Sequence, residues 1–536
     1  MMENLVVWFR KIKLVWVIIL SFVTIAHADI IDFNQFDKYV TESMADWNVP
    51  GAAIAIVKDG KIVYLKGFGV KTVGKNAPVS PATVFPLASV TKTFTVMVVC
   101  RLIDEGKLHW DDKVQTYYPE FSLADEQASR EFTIRDLLCH RSGLPGYSLD
   151  TLLELSWSPD EVLPVLHKIP LKHPFRQAYD YQNIFPGIAG IIIEKVTGKP
   201  LSQVYDDYIF KPLNLQETTI GKCGLTGGES WIDWLKAKWR FWQMDKTDEH
   251  HPIDGKAVVI QGHNPTIYKF EASRGVNSSA EDLAQWMIFL LNDGKVSGQT
   301  LVSRDQFMET RTPHIKVGPP KGGRLFPKDR VPDIDYGLGW FIHPYDRLNL
   351  LSHMGGMTGT RSLIALCPEE KLGIVIISNM GGMRVSLFPE AIRSKFFDMY
   401  LNLTDERDWS KDLITEFKIS RSELEKSRQN HRLKNPMPAQ ENSFYTGVYE
   451  NDLYGKLEIV EDKGQLFIKY RSLDLTPLTH WNGDNFTFKG YELTPAYSGN
   501  DLGEISFGNN GQVSQSYGLA INLFHEGKDT IFKRVK

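Results

Sequence analysis

The stretch Leu87-Ala88-Ser89-Val90-Thr91-Lys92-Thr93-Phe94 decides how this chain of 536 residues reads. Apolar residues recur at Val90, Phe94, Met97, Val98, Leu102 and Ile103, and Gly106 follows Glu105 as a stop, so the spacing predicts a helix that starts here. Ser89 then lies in the first turn, with Lys92 three residues on along the same face, where its amine reaches the serine hydroxyl. A serine hydroxyl is a weak nucleophile until a neighbouring base takes its proton. A lysine serves as that base only when burial or nearby positive charge lowers its pKa. The free N–H groups and positive dipole end of a helix start favour the negative charge that forms on an attacked carbonyl oxygen. The Ser-x-x-Lys spacing occurs once in the chain. A capping serine followed by a solvated lysine gives the same pattern, so the case rests on what surrounds it.

Composition bounds the answer. With 42% hydrophobic and 24% charged residues the chain is ordinary globular protein, long enough for two to four domains, and a formal net charge of -4 excludes nucleic acid as an expected partner. The N-terminus places Arg10, Lys11 and Lys13 before the apolar run Leu14 to Ile25 and Ala26-His27-Ala28. Residues 1 to 28 therefore read as a secretory signal peptide cleaved after Ala28, and the protein as exported, periplasmic or secreted. The apolar run Leu5 to Phe9 keeps an uncleaved membrane anchor as the alternative. Four cysteines, Cys100, Cys139, Cys223 and Cys367, are too scattered to make a disulfide framework, and their pairing stays open. His250, His251 and His263 fit no metal-ligand spacing and read as loop histidines, so no metal or cofactor is expected.

Farther along, Phe33 to Trp47 has helical spacing. Two β-rich runs follow, joined at Asp59-Gly60, a strong hairpin signal. Residues 107 to 270 are mostly helical in pattern. Ser278 with Glu281 has capping-box spacing and opens a further helix. Residues 311 to 335 read as a surface loop, and strands follow over 336–343, 348–353, 362–367 and 373–378, then a helix over 387–400. The expected fold is α/β with a helical insertion: an antiparallel sheet flanked by helices plus an all-α subdomain at about 107–270, together spanning 29–401. Residues 402–440 read as a partly helical linker. From 441 to 536, short alternating runs are punctuated by Lys463-Gly464, Asn482-Gly483, Asn510-Gly511 and Glu526-Gly527, which predicts an all-β unit, a small closed barrel or sandwich.

Three signals stand in order at the edges of predicted elements: Ser89-x-x-Lys92, Tyr181-x-Asn183 just before an apolar helix, and His353-Met354-Gly355. Tyr-x-Asn also occurs at 400–402 and 449–451, and His-x-Gly at 525–527, so order and context carry the argument. With the runs Leu137-Leu138-Cys139-His140-Arg141-Ser142-Gly143-Leu144-Pro145, Glu194-Lys195-Val196-Thr197-Gly198 and Lys211-Pro212-Leu213-Asn214-Leu215, the chain resembles a class C β-lactamase-type serine hydrolase. That superfamily is shared with penicillin-binding proteins, D-aminopeptidases and certain esterases. The likeness covers about residues 33 to 400, and the last hundred residues resemble the lipocalin-like β domain appended to some of these hydrolases.

The resemblance implies that Ser89 attacks a carbonyl, that Lys92 and Tyr181 share the proton work, and that Asn183 orients Lys92 and hydrogen-bonds the substrate amide. It places the oxyanion hole at the backbone N–H groups of Ser89 and Gly356, beside Gly355. A Lys92 ammonium next to Tyr181 is expected to lower the phenol's pKa so that it can deprotonate a water. Where β-lactamases carry Lys-Thr-Gly this chain has His353-Met354-Gly355, and histidine is a weaker, pH-dependent cation for a substrate carboxylate. The expected substrate is therefore a small molecule or peptide bearing an amide or ester. A penicillin-recognising D,D-peptidase or β-lactamase, and a catalytically silent binding or assembly protein of the same fold, are the alternatives. On a helix, Trp231, Trp234, Leu235, Trp239 and Trp242 share one side. That face either roofs the helical block or dips into a membrane surface, and in both cases it narrows access. Oligomeric state is left open.

Overall fold

A computed structural model describes residues 31–155, 157–221, 244–253, 256–260, 270–320, 326–381, 387–404, 407–431, 436–471, 475–489, 502–508, 518–521 and 531–535. The N-terminal leader and the tryptophan-rich segment 231–242 lie outside the described residues. No helix among the described residues is long and apolar enough to cross a membrane.

After helix α1 (Phe33–Asp46), strands β1 (Gly51–Lys58) and β2 (Lys61–Gly69) form the expected hairpin. Asp59 and Gly60 both take positive φ, 51° and 73°, the paired left-handed geometry that matches strand twist in a two-residue turn. Helix α2 (Thr91–Asp104) follows Ser89, α3 (Ile184–Thr197) follows Asn183, and α4 (Ala280–Leu291) lies against β1. Then come β3 (Phe341–Tyr345), β4 (Leu348–Met357), β5 (Thr360–Cys367), β6 (Leu372–Ser378) and α5 (Phe388–Leu401). These strands build one antiparallel sheet in the order Ile315–Lys316, Asp335–Tyr336, β3, β4, β5, β6, β1, β2.

Three strands are buried on both faces, and their alternating side chains feed two separate cores. Ala53, Ala55 and Val57 of β1, with Ile364, Val375 and Ile377, face α2 and α4. Ala52, Ile54 and Ile56, with Leu363, Ile374 and Ile376, face α1 and α5. Phe94 of α2 stacks on Trp286 of α4 with ring centroids 4.0 Å apart, which fixes the helix that follows Ser89 to the sheet-packing helix.

Several expected boundaries move. The strand expected over 336–343 is two, Asp335–Tyr336 and β3, with the intervening turn at Gly339 (φ 74°) pressed against the Lys92 carbonyl and Val96. The cap of α4 is Ser279, whose side chain accepts from the Asp282 N–H at 3.1 Å. Ser278, the expected cap, lies instead in a short strand and bonds Thr218.

Residues 409–431 form one long helix whose start is docked: Trp409 Nε1 donates to Asp398 at 2.6 Å and the Ser410 N–H to the Tyr39 hydroxyl at 2.8 Å. The C-terminal part is all-β, a nine-stranded antiparallel sheet in which consecutive strands pair in sequence order and the last, Ile531–Arg534, pairs with the first, Gly447–Asn451. The expectation of a closed barrel is corrected at one place. Among the described residues no ladder joins the two edge strands, Thr476–Pro477 and Thr479–Asn482. They are separated only by Leu478, too little chain to turn back and pair with itself. This sheet rests on the helical block through Trp157, whose Nε1 donates to the Tyr470 hydroxyl at 2.9 Å, and through Arg471, which pairs with Glu161 at 2.6 Å.

Asp136 ties the helical block to the turns around the site. It is fully buried and accepts from the Thr133 N–H (3.0 Å) and hydroxyl (2.8 Å), Arg141 Nε (2.7 Å) and Arg176 Nη2 (2.6 Å). Burial alone would raise its pKa, yet Arg176, Arg141 and Thr133 outweigh that and hold it below the ordinary carboxylate value. We expect Asp136→Asn to cost about 3 kcal/mol in urea unfolding at pH 7, since it leaves two guanidiniums without their shared partner. A depressed folded pKa stabilises only above the unfolded value. The difference between parent and variant should therefore shrink as pH falls below about 4.

Candidate active site

Ser89 sits in a tight 3-10 turn, Ala88–Val90, that runs directly into α2, one turn earlier than the α-helix proper. Ala88 takes φ 48°, a left-handed conformation that L-residues adopt at a cost. Its methyl group is buried with Met357. Several bonds pin this turn to the sheet: Ser362 Oγ donates to the Leu87 carbonyl (2.6 Å), Thr360 Oγ1 to the Pro86 carbonyl (2.9 Å), and the Leu87 N–H to the Val276 carbonyl (2.8 Å). Gly355 on β4 makes the approach feasible. A Cβ there would stand 2.1 Å from the Leu87 carbonyl and 3.1 Å from the Ser89 nitrogen. The backbone at Gly355 and Gly356 thus lies directly beside the serine.

Lys92 is almost wholly buried, at 1% exposure. Its amine lies 3.2 Å from Ser89 Oγ, 2.7 Å from Asn183 Oδ1 and 3.0 Å from the Ser273 carbonyl. The last contact depends on α3. Gly187 and Gly190 present no side chain where a Cβ would fall 2.2 Å from Phe270 and 2.7 Å from Ala272, so the 270–274 segment packs close enough to bring Ser273 to the lysine. Burial drives the lysine pKa well below its ordinary value. Arg274 adds to the effect and Asp150 opposes it. Behind Asn183, its Nδ2 donates to Asp150 at 2.6 Å, and Asp150 pairs with Arg274 at 3.4 Å.

Tyr181 is half-buried, its ring 4.9 Å from the Lys92 amine and its phenol hydrogen-bonded to Ser89. The expected lowering of its pKa by a Lys92 ammonium is corrected. Burial pushes the phenol up, the Ser89 bond opposes this only in part, and the lysine beside it sheds its proton readily. Gln182 is turned away and holds the neighbouring loop, accepting from the Ser148 N–H (3.1 Å) and donating to the Pro145 carbonyl (2.6 Å).

His353 is placed next to the site but is not an exposed cation. At 1% exposure, with burial and Lys92 pulling its pKa down to about 3, it is neutral across the working range. Its tautomer follows from its partners. The Gln182 N–H donates to His140 Nδ1 (3.2 Å), so His140 carries its proton on Nε2 and gives it to the Tyr336 hydroxyl (3.1 Å). Tyr336 then donates to His353 Nε2 (3.1 Å), and His353 Nδ1–H donates to the Met354 carbonyl (2.9 Å). This chain ties β4 to the Tyr181 loop.

The structure thus gathers Ser89, Lys92, Tyr181, Asn183, Gly355 and Gly356 in one place, with His353 behind them. The other Tyr-x-Asn sites stand apart, at the end of α5 and in the C-terminal sheet. Asp150, Ser273, Arg274, Tyr336 and His140 complete the arrangement, and the sequence reading missed their part in it. His140 lies inside the run Leu137 to Pro145 that carries the family resemblance. The others carry no spacing signal, because their partners are distant in the chain.

The Beta-lactamase family matches residues 36–391, and a second family, described as a Domain of unknown function (DUF3471), matches residues 431–522. Protein flp of Staphylococcus aureus (strain MW2) is 27% identical over 370 residues, covering 68% of this chain and 66% of its own length. Unguisins hydrolase ungD of Aspergillus violaceofuscus (strain CBS 115571) is 26% identical over 492 residues, 85% of this chain and 82% of its own. The octameric penicillin-binding protein homologue from Pyrococcus abyssi aligns with a TM-score of 0.58 at 22% identity over 91% of this chain and 98% of its own, a likeness of fold. The matched stretch 36–391 holds every side chain of the site described above, and this chain belongs to the Beta-lactamase family.

Proposed function

We propose that this protein is an exported serine hydrolase that cleaves an amide, a short peptide or an ester through an acyl-enzyme on Ser89. The observation that carries this reading is the set of three partners around Lys92. A neutral amine has two protons and one lone pair. The Asn183 and Ser273 carbonyl oxygens can only accept, so they take both protons, and the lone pair is left for the one neighbour able to donate, the Ser89 hydroxyl. Lys92 then takes the Ser89 proton as Oγ attacks the carbonyl carbon. The developing oxyanion is met by the N–H groups of Ser89, in the turn that leads into α2, and of Gly356 on β4. Tyr181, protonated at rest, gives its proton to the leaving group and recovers one from Lys92. The same two groups run in reverse when water attacks the acyl-enzyme.

Several observations support the finer parts of this reading. The neutral, buried His353 leaves no cation on β4 for a substrate carboxylate, which favours a plain amide or ester over a penicillin. The class C subtype rests on the Tyr181-x-Asn183 loop beside Ser89. The pairing of the first strand with the last is that of an up-and-down β unit, which supports a lipocalin-like type for the C-terminal part. Export rests on the basic and apolar pattern of residues 1–28.

Intact-mass analysis after treatment with a fluorophosphonate should show one adduct, absent in Ser89→Ala, and no adduct with benzylpenicillin. A folded parent that takes no fluorophosphonate would overturn the hydrolase reading. Lys92→Met and Tyr181→Phe should each slow aryl-ester turnover by about 10²- to 10⁴-fold. Gly355→Ala should cost about a hundredfold in kcat/KM with the circular dichroism spectrum unchanged, because the added methyl pushes β4 off the Ser89 turn. Acylation should rise with pH through a single ionisation well below 10.5, since only the deprotonated lysine is a base.

A further inference from the structure

Lys92 is bracketed by two carbonyl acceptors, and each is linked to one member of a buried ion pair, the first by a hydrogen bond and the second by the chain. Asn183 leads to Asp150 through its own amide, and Ser273 is followed immediately in the chain by Arg274. The orientation of the Asn183 amide is dictated by charge. Only Nδ2 can donate to the Asp150 carboxylate, so Oδ1 must face the lysine.

The elements packed around the amine otherwise present no charge to it. Ser89 is a hydroxyl. Tyr181 is held protonated by burial, and His140 and His353 are held neutral by burial and by Lys92 itself. Among the described residues, Asp150 and Arg274 are therefore the two charges that act on Lys92. Both residues are buried, at 9% and 8% exposure, where screening by water and salt is weak and a charge that does not touch the amine still counts.

The pair is also loosely joined. Its one contact is 3.4 Å, and Arg274 Nε is buried without a hydrogen-bond partner among the described residues. A purely structural ion pair gains most from a close, bidentate fit. This one is instead arranged around the base: Asp150 starts a short helix after the left-handed Leu149 (φ 67°), and Arg274 ends the segment that α3's glycines admit.

We propose that the Asp150–Arg274 pair sets how readily Lys92 gives up its proton, the carboxylate holding the proton on the amine through Asn183 and the guanidinium driving it off. Both are positioning residues that act through Lys92. The inference rests on Lys92 being the base for Ser89, as argued above. It explains why a neutral pair is kept in the core beside a base that burial alone already depresses: two opposing charges allow the proton affinity to be adjusted in either direction without moving the amine.

The test is the acidic limb of Ser89 labelling by a fluorophosphonate, measured as rate against pH for the parent, Asp150→Asn and Arg274→Gln. Removing the negative charge should move the limb down, and removing the positive charge should move it up, each by roughly one pH unit. Arg274→Lys keeps the charge and should leave the limb where the parent has it. Each variant decides by its own sign, so one that does not fold leaves the other decisive. Shifts in the same direction, or none, would overturn the inference, because a structural role would lower the rates without opposite displacements. The proton is also followed without turnover, through the carbon-13 resonance of the Lys92 Cε, assigned by its loss in Lys92→Arg. Opposite movements of that resonance with no Ser89-dependent labelling would keep the inference and remove the hydrolase reading. Labelling with an unmoved resonance would do the reverse.

Discussion

The amine of Lys92 is the point on which the site depends. A lysine withdrawn from water to 1% exposure is costly as an ion, and the cost falls away once it is neutral with two carbonyl acceptors and a hydroxyl around it. Burial therefore favours the neutral amine. Every neighbouring element is arranged to keep that amine dry and correctly satisfied: α3 brings Asn183, the segment packed against its glycines brings Ser273, and the β4 backbone closes the side next to Ser89.

The two-sided sheet explains how such a site is held still. β5 uses opposite ends of its pleat for different tasks. Thr360 and Ser362 hold the carbonyls that precede Ser89, while Arg361, fully buried, reaches the other way to Glu390 on α5. The left-handed Ala88 is sustained by these bonds, since a free turn would relax to a common conformation. The position of Ser89 is thus set by the centre of the protein rather than by its surface.

What could be read from the sequence follows the range of each interaction. Ser89 and Lys92 are three residues apart at a helix start, so local periodicity put them on one face, while Tyr181 and Asn183 were placed just before a helix by the same signal and joined to them by the family resemblance. The hairpin at Asp59-Gly60 was legible for the same reason. Asp150 and Arg274 are 124 residues apart, and His140 and Tyr336 are 196 apart, so no spacing rule could join them. Charge state was also out of reach. His353 was found at the right strand, yet its neutrality comes from burial and from Lys92, both products of the folded chain. The open seam of the C-terminal sheet escaped the reading because turn signals tell where strands end and not which edges meet.

The pairing of Gly447–Asn451 with Ile531–Arg534 has a consequence for how the molecule is made. A sheet whose first strand pairs with its last is complete only when residue 534 is in place, whereas the elements around Ser89 are all contained within residues 33–401. The Beta-lactamase part therefore draws none of its sheet from the C-terminal strands, and meets them through the surface of Trp157 and Glu161. The C-terminal sheet seats on that surface as a separate unit, so exchanging it for another would alter what lies beside the helical block and leave the contacts of Lys92 in place.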